Sequence, residues 1–307
     1  MGLLALQTDT PWPLTESISS NVSIWLWTVF SIVVVTLASW LVEMKTHPLR
    51  ERVFYYVFFV PLASQGVTYY AMASNLGNVP TIPSLNVERS DDYFRAEFLI
   101  HYIPTFFVSI GVNMNLMLVS GVSWATIVFT IVVTLGMYIC LLISAIVSTN
   151  YKWGWFAFHA CGVVVLSFLI GQTGLRESRR VGVHQDYRLL AIFALVVDYA
   201  YTICWGLGTG SNTISVNAAT IFHSVIDLLQ LPVWGSIFLA MSRRWDYDVM
   251  GLHFTVDGRS NTGYAKTPNV HVPVNHGHNP TEEHSTREKV YENGGQPQPT
   301  RQEIETI

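Results

Sequence analysis

The sequence has few charges and few cysteines, and each shortage excludes a class of protein. Only 12% of its 307 residues are charged and 50% are hydrophobic, whereas soluble domains average about 25% charged residues. The net charge of −4 and the lack of a basic stripe argue against nucleic-acid binding. The three cysteines lie in apolar segments and imply no disulfide framework. No basic region precedes an apolar core at the N-terminus, so a cleavable signal is not expected. The composition predicts an integral membrane protein.

Long apolar segments are what the chain has in abundance. A bilayer core of about 30 Å requires about 20 mostly apolar residues per helix. Seven segments satisfy this requirement, and they are approximately Ser23–Glu43, Phe54–Asn75, Arg95–Val119, Trp124–Val147, Trp153–Gly174, Leu189–Gly208 and Asn217–Met241. No Asp, Glu, Lys or Arg lies between Glu97 and Lys152, an interval that holds two segments joined by a short turn. The sequence therefore predicts an all-α bundle of seven transmembrane helices.

Charges in the connections predict the orientation and the domain limits. The loops after the first, fifth and seventh segments are basic, whereas the alternate loops are acidic or uncharged. By the positive-inside rule the N-terminus is outside and the C-terminus cytoplasmic. Residues 1–21 are then an extracellular segment, residues 22–254 the membrane domain and residues 255–307 a polar tail predicted to be disordered. The histidines of the tail are irregularly spaced, so no metal site is expected there.

Polar residues inside the predicted spans are the candidate functional residues. Asp227 lies in the middle of the last span, where an unpartnered acid is costly. His223 and Leu231 lie four residues before and after it, on the same helix face. Further candidates are the pair Glu97 and His101, again four residues apart, and Asp198. Two interpretations remain open: hydrogen bonds that hold the helices together, or a path for protons or ions in which histidine titrates near neutral pH.

Several local strings resemble the microbial-type opsin family. The resemblance is to its fungal opsin-related branch, which includes heat-shock-induced membrane proteins. It covers approximately residues 22–254. The strings that carry it are Trp25–Phe30, Tyr70–Gly77, Tyr151–Phe156, Trp205–Leu207 and Asp227–Pro232. Residues matching the polar and aromatic cluster of the family are Tyr69, Arg95, Tyr201, Trp205 and Asp227. The resemblance implies a microbial-rhodopsin fold.

The resemblance also identifies what this chain has lost. Light-driven members hold retinal on a seventh-helix lysine, and that position is Leu231 here. The main counter-ion position corresponds to Phe98, the proton-donor position to Ser109 and the pocket tryptophan of the sixth helix to Asp198. None of the four lysines lies in the middle of a span; they are Lys45, Lys152, Lys266 and Lys289. A covalent retinal linkage is therefore excluded, and no other cofactor is expected.

Three functions follow from these observations. The first is a non-photoactive, opsin-like protein of the plasma membrane with a regulatory or stress-adaptive role. Its partners would be the bilayer and a membrane protein, for example a proton-pumping ATPase, and an oligomer is compatible with the sequence. The second is a passive or gated proton or ion path that uses Glu97, His101, Asp198, His223 and Asp227. The third is non-covalent binding of a small apolar ligand. No signature of an enzyme is found.

Overall fold

The computed structural model describes residues 17–47, 52–76, 78–81, 95–247 and 249. The chain divides into two units, Met1–Asn261 and Thr262–Ile307, and every described residue belongs to the first. The tail predicted for residues 255–307 and most of the predicted N-terminal segment lie outside the described residues. These two predictions on domain limits therefore stay predictions.

Seven long helices make up most of the described part of the chain. They are α1 (Ser20–Thr46), α2 (Arg52–Ala73), α3 (Leu99–Ser120), α4 (Trp124–Ile146), α5 (Lys152–Val181), α6 (His184–Gly210) and α7 (Val216–Ser242). All except α2 are long and apolar enough to cross a membrane by length and composition. Helix α2 has 22 residues, but Gln65 and several tyrosines lower its hydropathy. The predicted seven-helix class is confirmed.

A short β-hairpin corrects the expected start of the third segment. Strands β1 (Asn78–Thr81) and β2 (Arg95–Phe98) pair antiparallel, with Asn78 opposite Phe98. Helix α3 begins only after this strand, with a 3-10 turn over Leu99–His101. The prediction of a helix from Arg95 was wrong because the backbone groups of residues 95–98 bond across the hairpin instead of along a helix.

Serine and glycine residues determine where several helices begin and end. The hydroxyl of Ser123 accepts a hydrogen bond from the N–H of Thr126 and caps α4. Ser215 caps α7 in the same way through Ala218. Helix α3 ends at Gly121, whose φ of 73° places it in the left-handed region. The turn from Gly121 to Ser123 thus combines a helix stop with a helix start, which explains why α3 and α4 are antiparallel neighbours.

Three helices contain a π-helical turn. The turns are Leu169–Gly174 in α5, Gly206–Gly210 in α6 and Leu229–Val233 in α7. The last one includes Pro232, which has no N–H to donate. A π-turn adds a residue to the helix and leaves main-chain carbonyl groups in need of other partners. In α7 it begins two residues after Asp227.

Most outward-facing side chains are apolar, and the buried interior combines aliphatic and aromatic side chains with polar ones. Large hydrophobic residues such as Ile24, Val35 and Val42 on α1 are exposed on the surface of the bundle, as expected where lipid replaces water. Tyr69, Tyr201 and Trp205, which belong to the opsin-type cluster, are fully buried. The fold therefore directs the polar candidates of α2, α6 and α7 toward a shared interior.

Candidate functional site

The carboxylate of Asp227 lies at the centre of a buried cluster. Its residue is 5% exposed. The hydroxyl of Tyr69 on α2 donates to Oδ2 of Asp227 at 2.5 Å. The ring of His101, at the start of α3, places Nδ1 3.5 Å from the same oxygen. Both partners come from helices far away in sequence, so Asp227 joins α2, α3 and α7 through a single side chain.

Tyr201 extends this cluster to α6 through His101. Its hydroxyl lies 2.8 Å from Nε2 of His101 and 3.2 Å from Oγ1 of Thr105. The rings of His101 and Tyr201 are stacked with an interplanar angle of 9°. The resemblance groups Tyr201 with Asp227, whereas in the described structure the hydroxyl of Tyr201 bonds to His101 and Thr105. His101 is therefore the link between the carboxylate and Tyr201.

His223 closes the cluster on the N-terminal side of Asp227. Its ring centroid is 5.1 Å from that of His101 and 5.0 Å from that of Tyr201. Its Nδ1 is 3.1 Å from the main-chain oxygen of Ala219, one turn earlier in the same helix. Two imidazoles and a phenol thus pack together beside one carboxylate. Such groups can exchange protons, and they can equally hold helices together.

The main chain of Asp227 has its own partner. Nε2 of Gln65 on α2 donates to the main-chain oxygen of Asp227 at 3.3 Å. This carbonyl precedes the π-turn that contains Pro232, where helical N–H donors are fewer. Gln65 is 1% exposed, so its amide is committed to the interior. The contact explains why a glutamine lies in the middle of α2.

Leu231 lies one turn beyond Asp227, inside the π-turn. Its side chain is fully buried and belongs to a large apolar cluster with Tyr69 and Trp234. An aliphatic side chain can pack there, but it offers no atom that could form an imine with an aldehyde. Of the four lysines, Lys152 donates to the main-chain oxygen of Thr209 at 2.9 Å, where α5 begins and α6 ends.

A second carboxylate, Asp198 on α6, has a separate set of partners. Its residue is 4% exposed. Oδ1 accepts from the hydroxyl of Tyr138 at 3.4 Å and from Nε2 of Gln230 at 3.4 Å. Nε2 of Gln230 also lies 3.3 Å from the hydroxyl oxygen of Ser109. We call these four residues the Asp198 cluster. They join α3, α4, α6 and α7 and are linked to Tyr201 by the ring of Tyr138, 6.1 Å away.

His159 on α5 packs beside the Asp198 cluster. Its two ring nitrogens lie 3.1 Å from the main-chain oxygen of Met137 and 3.2 Å from Oγ1 of Thr202. Thr202 in turn donates to the main-chain oxygen of Asp198 at 2.9 Å. Both nitrogens of His159 thus have neutral partners, which is the arrangement of a histidine that bridges helices.

Trp205 packs against two other aromatic rings. Its ring stacks on that of Phe156 with centroids 4.6 Å apart, and Trp153 meets it edge to face. These residues come from α6 and from the start of α5. The stack fills the space around Trp205, so this residue of the predicted cluster serves packing in the described structure.

Three predicted site residues lie on strand β2. Arg95, Glu97 and Phe98 precede α3 instead of belonging to it. Their side chains lie outside the described part of the structure, so their roles as arginine partner, acid of a proton path and counter-ion position stay predictions. The strand removes the helical spacing that had paired Glu97 with His101. The structure brings His101 to Asp227 instead.

Sequence reasoning missed several residues that complete the site. Tyr138 and Gln230 bond to Asp198 from α4 and α7, and Thr105 bonds to Tyr201. Gln230 had a detectable signal, since it is an amide next to the lysine position in an otherwise apolar string. Among the described residues, no group of three or more His, Cys, Asp or Glu side chains could hold a metal ion.

Comparison with known proteins places this architecture among the rhodopsins. Residues 20–244 match the family model described as "Bacteriorhodopsin-like protein". The chain is 28% identical to the opsin-like protein carO of Fusarium fujikuroi over 260 residues, which is 82% of this chain and 83% of that protein. It is 29% identical to protein FDD123 of Trametes versicolor over 88% of this chain and 93% of that protein.

The solved structures agree on the fold. The crystal structure of a light-driven proton pump of Coccomyxa subellipsoidea superposes with a TM-score of 0.69 and 22% identity, covering 73% of this chain and 98% of the other. At this identity the likeness concerns the fold alone.

Proposed function

The chain belongs to the bacteriorhodopsin-like protein family, among its fungal opsin-related members, and from that premise we propose that it is a membrane protein that holds no covalent retinal and uses no light. The observation that carries this proposal is the buried Leu231 one turn after Asp227. A covalent retinal pigment needs a lysine amine at the position of Leu231. This chain keeps the carboxylate of Asp227 but has no amine there.

The residues of this site do not fit retinal as a covalently bound group. Leu231 cannot form the imine, and Lys152 is bonded at the junction of α5 and α6. Where the resemblance implies a pocket tryptophan, Asp198 supplies a carboxylate that is hydrogen-bonded to Tyr138 and Gln230. A polar cluster in this position favours small polar occupants over a polyene, because burying unpaired polar groups against hydrocarbon is costly.

A regulatory role is consistent with how the cluster is used. Asp227 is bonded to Tyr69 and lies beside His101, and these contacts join three helices. In this proposal the retained cluster serves as structure, and the protein acts through its surface on the bilayer or on a partner. The partner we propose is a proton-pumping ATPase of the plasma membrane, with the N-terminus of this chain outside. The proposal assigns no catalytic residue.

A path for protons or ions is the second candidate function. The observation that favours it is a row of buried polar side chains from Asp227 to Asp198, in which Tyr201 and Tyr138 meet only through their rings. Asp227 contacts His101, His101 bonds to Tyr201, and the ring of Tyr201 meets Tyr138, which bonds to Asp198. Chains of this kind serve as proton relays in membrane transport proteins.

One reconstitution experiment separates the two functions. Liposomes would contain a plasma-membrane proton ATPase alone, this chain alone, or both, with an internal pH-sensitive dye. The regulatory role predicts that the chain changes the rate of ATP-driven proton pumping, while the chain alone leaks no more protons than empty liposomes. A light-driven pump of the same family, kept in the dark, controls for crowding of the bilayer.

The opposite result would support the second function. A leak through the chain alone, lost on Asp198→Asn or Asp227→Asn in correctly folded protein, would contradict the regulatory proposal. Unchanged pumping together with an absent leak at every pH would contradict both.

A further inference from the structure

A groove lies on the outer side of α6, near the start of the helix. Its volume is about 610 Å³, and the described residues that line it are Gln185, Asp186, Arg188, Leu189, Ile192 and Phe193. The polar members come first in the chain and the apolar members follow, so the lining changes from polar to apolar along the helix. Leu189 and Ile192 are exposed on the surface of the bundle. A groove with this order of side chains fits a molecule that has one polar and one apolar end.

The groove lies where the surface of a bilayer meets its hydrocarbon core. Helix α6 has 27 residues, and at 1.5 Å per residue it is about 40 Å long, whereas the hydrocarbon core is about 30 Å thick. Each end of the helix therefore extends about 5 Å beyond the core if the helix is centred in it. Arg188 lies four residues after His184, about 6 Å along the helix axis. Its guanidinium can thus reach the lipid headgroups while Leu189 and Ile192 face the acyl chains.

Arg188 lacks an acidic partner. Its side chain is exposed, and it takes part in none of the ion pairs among the residues that the structure describes. Nearby, Arg180 is paired with Glu177 at 2.7 Å. Asp186 accepts a bond of 2.8 Å from Nε1 of Trp245, so its carboxylate is held by the end of the chain that follows α7. An unpaired arginine beside an apolar groove suits a phosphate group, which a planar guanidinium binds through two parallel hydrogen bonds.

The end of the bundle that surrounds the groove is positively charged. Its described residues include eight basic side chains and four acidic ones. The basic residues are Lys45, Arg52, Arg176, Arg179, Arg180, Arg188, Arg243 and Arg244, and the acidic residues are Glu43, Glu177, Asp186 and Asp246. By the positive-inside rule this end is cytoplasmic, and the cytoplasmic leaflet carries anionic lipids. The charge around the groove therefore complements that of the lipids on this side.

We propose that this groove binds one anionic phospholipid of the cytoplasmic leaflet. Arg188 contacts the phosphate of the headgroup, and an acyl chain lies along Leu189, Ile192 and Phe193. A zwitterionic lipid binds less well, because its choline group meets the surrounding arginines. The inference specifies the bilayer contact of the proposed function and relies on its orientation, but it requires no partner protein.

Native mass spectrometry of the full-length protein in detergent tests the proposal. We expect one phosphatidylserine per chain to bind at least about fivefold more tightly than phosphatidylcholine with the same acyl chains. Glycerophosphoserine, which is the same headgroup without acyl chains, should not bind detectably. The experiment contains no ATPase, so its failure would leave the regulatory role untouched, and a failure of that role would leave the lipid site untouched.

Matched substitutions assign the binding to the groove. Arg188→Gln should weaken the binding of phosphatidylserine at least about fivefold. Lys45→Gln removes the same charge from an exposed side chain at the end of α1, away from the groove, and should leave the affinity unchanged. Ile192→Ser keeps the charge and should weaken the binding through the apolar wall. Equal affinity for phosphatidylcholine, equal losses from Arg188→Gln and Lys45→Gln, or binding of glycerophosphoserine as tight as that of the lipid would overturn the proposal.

Discussion

Replacing Asp227 with leucine should lower the free energy of unfolding by about 3 kcal/mol, because it leaves the hydroxyl of Tyr69 and the ring of His101 without their buried acceptor. The bond from Tyr69 is short, at 2.5 Å, and His101 lies 3.5 Å from the same oxygen. Leucine has the same branched shape and leaves no cavity, so the loss would come from the polar groups. Unfolding of the purified protein in mixed micelles measures the change.

A double-mutant cycle shows whether the loss of stability comes from the contact between Tyr69 and Asp227. Tyr69→Phe alone should cost about 1 kcal/mol, close to the range for hydrogen bonds between membrane helices. The double variant should be more stable than the sum of the two losses predicts, since neither polar group is then left unpaired. Strict additivity would contradict the assigned bond. Asp227→Asn keeps an acceptor oxygen and should lose less than Asp227→Leu.

Gly174→Ala should destabilise the protein by about 3 kcal/mol, because no space exists for an added methyl group. A Cβ atom at Gly174 would collide with the hydroxyl of Tyr187 and lie 2.7 Å from its Cζ atom and 3.3 Å from Cε of Met117. Tyr187 is fully buried and donates to the main-chain oxygen of Ile170 at 3.0 Å. The ring could move only by giving up this bond. The melting temperature and the yield of folded protein measure the effect.

The same π-turn supplies a matched control. Gly171 has no atom within 4 Å of an added Cβ, so Gly171→Ala should be neutral or slightly stabilising, as alanine favours helix over glycine. Adding Tyr187→Phe to Gly174→Ala removes the colliding hydroxyl and should recover part of the loss. Equal losses from the two alanine substitutions, or no recovery, would show that the contact of Gly174 with Tyr187 does not determine the packing there.

The seven helices were predictable because the bilayer requires long apolar segments, and the amino-acid sequence displays them directly. Their ends were less clear, except where a serine cap or a glycine such as Gly121 marks them. The start of α3 was misplaced because apolar residues continue from Phe98 into the helix. Pairing between residues 78–81 and 95–98 depends on contacts across a loop, and hydropathy contains no information on such contacts.

His101 illustrates why local spacing was a poor guide to the site. The four-residue offset from Glu97 predicted a pair on one helix face, but Glu97 lies on a strand and the helical rule does not apply. His101 instead meets Asp227, which lies 126 residues later in the chain. Asp198 was predicted as a polar residue of a span, yet its partners Tyr138 and Gln230 lie on other helices. Only the packed bundle determines such contacts.

The proposal that this chain binds no retinal covalently is tested most directly by an absorption spectrum after incubation with all-trans-retinal. A light-driven member of the family, treated in the same way, provides the positive control. For this chain we predict no red-shifted visible band and no retinyl adduct in the intact mass after borohydride reduction, because Leu231 offers no amine. A red-shifted band together with such an adduct would show that this chain binds retinal covalently and would contradict the proposal.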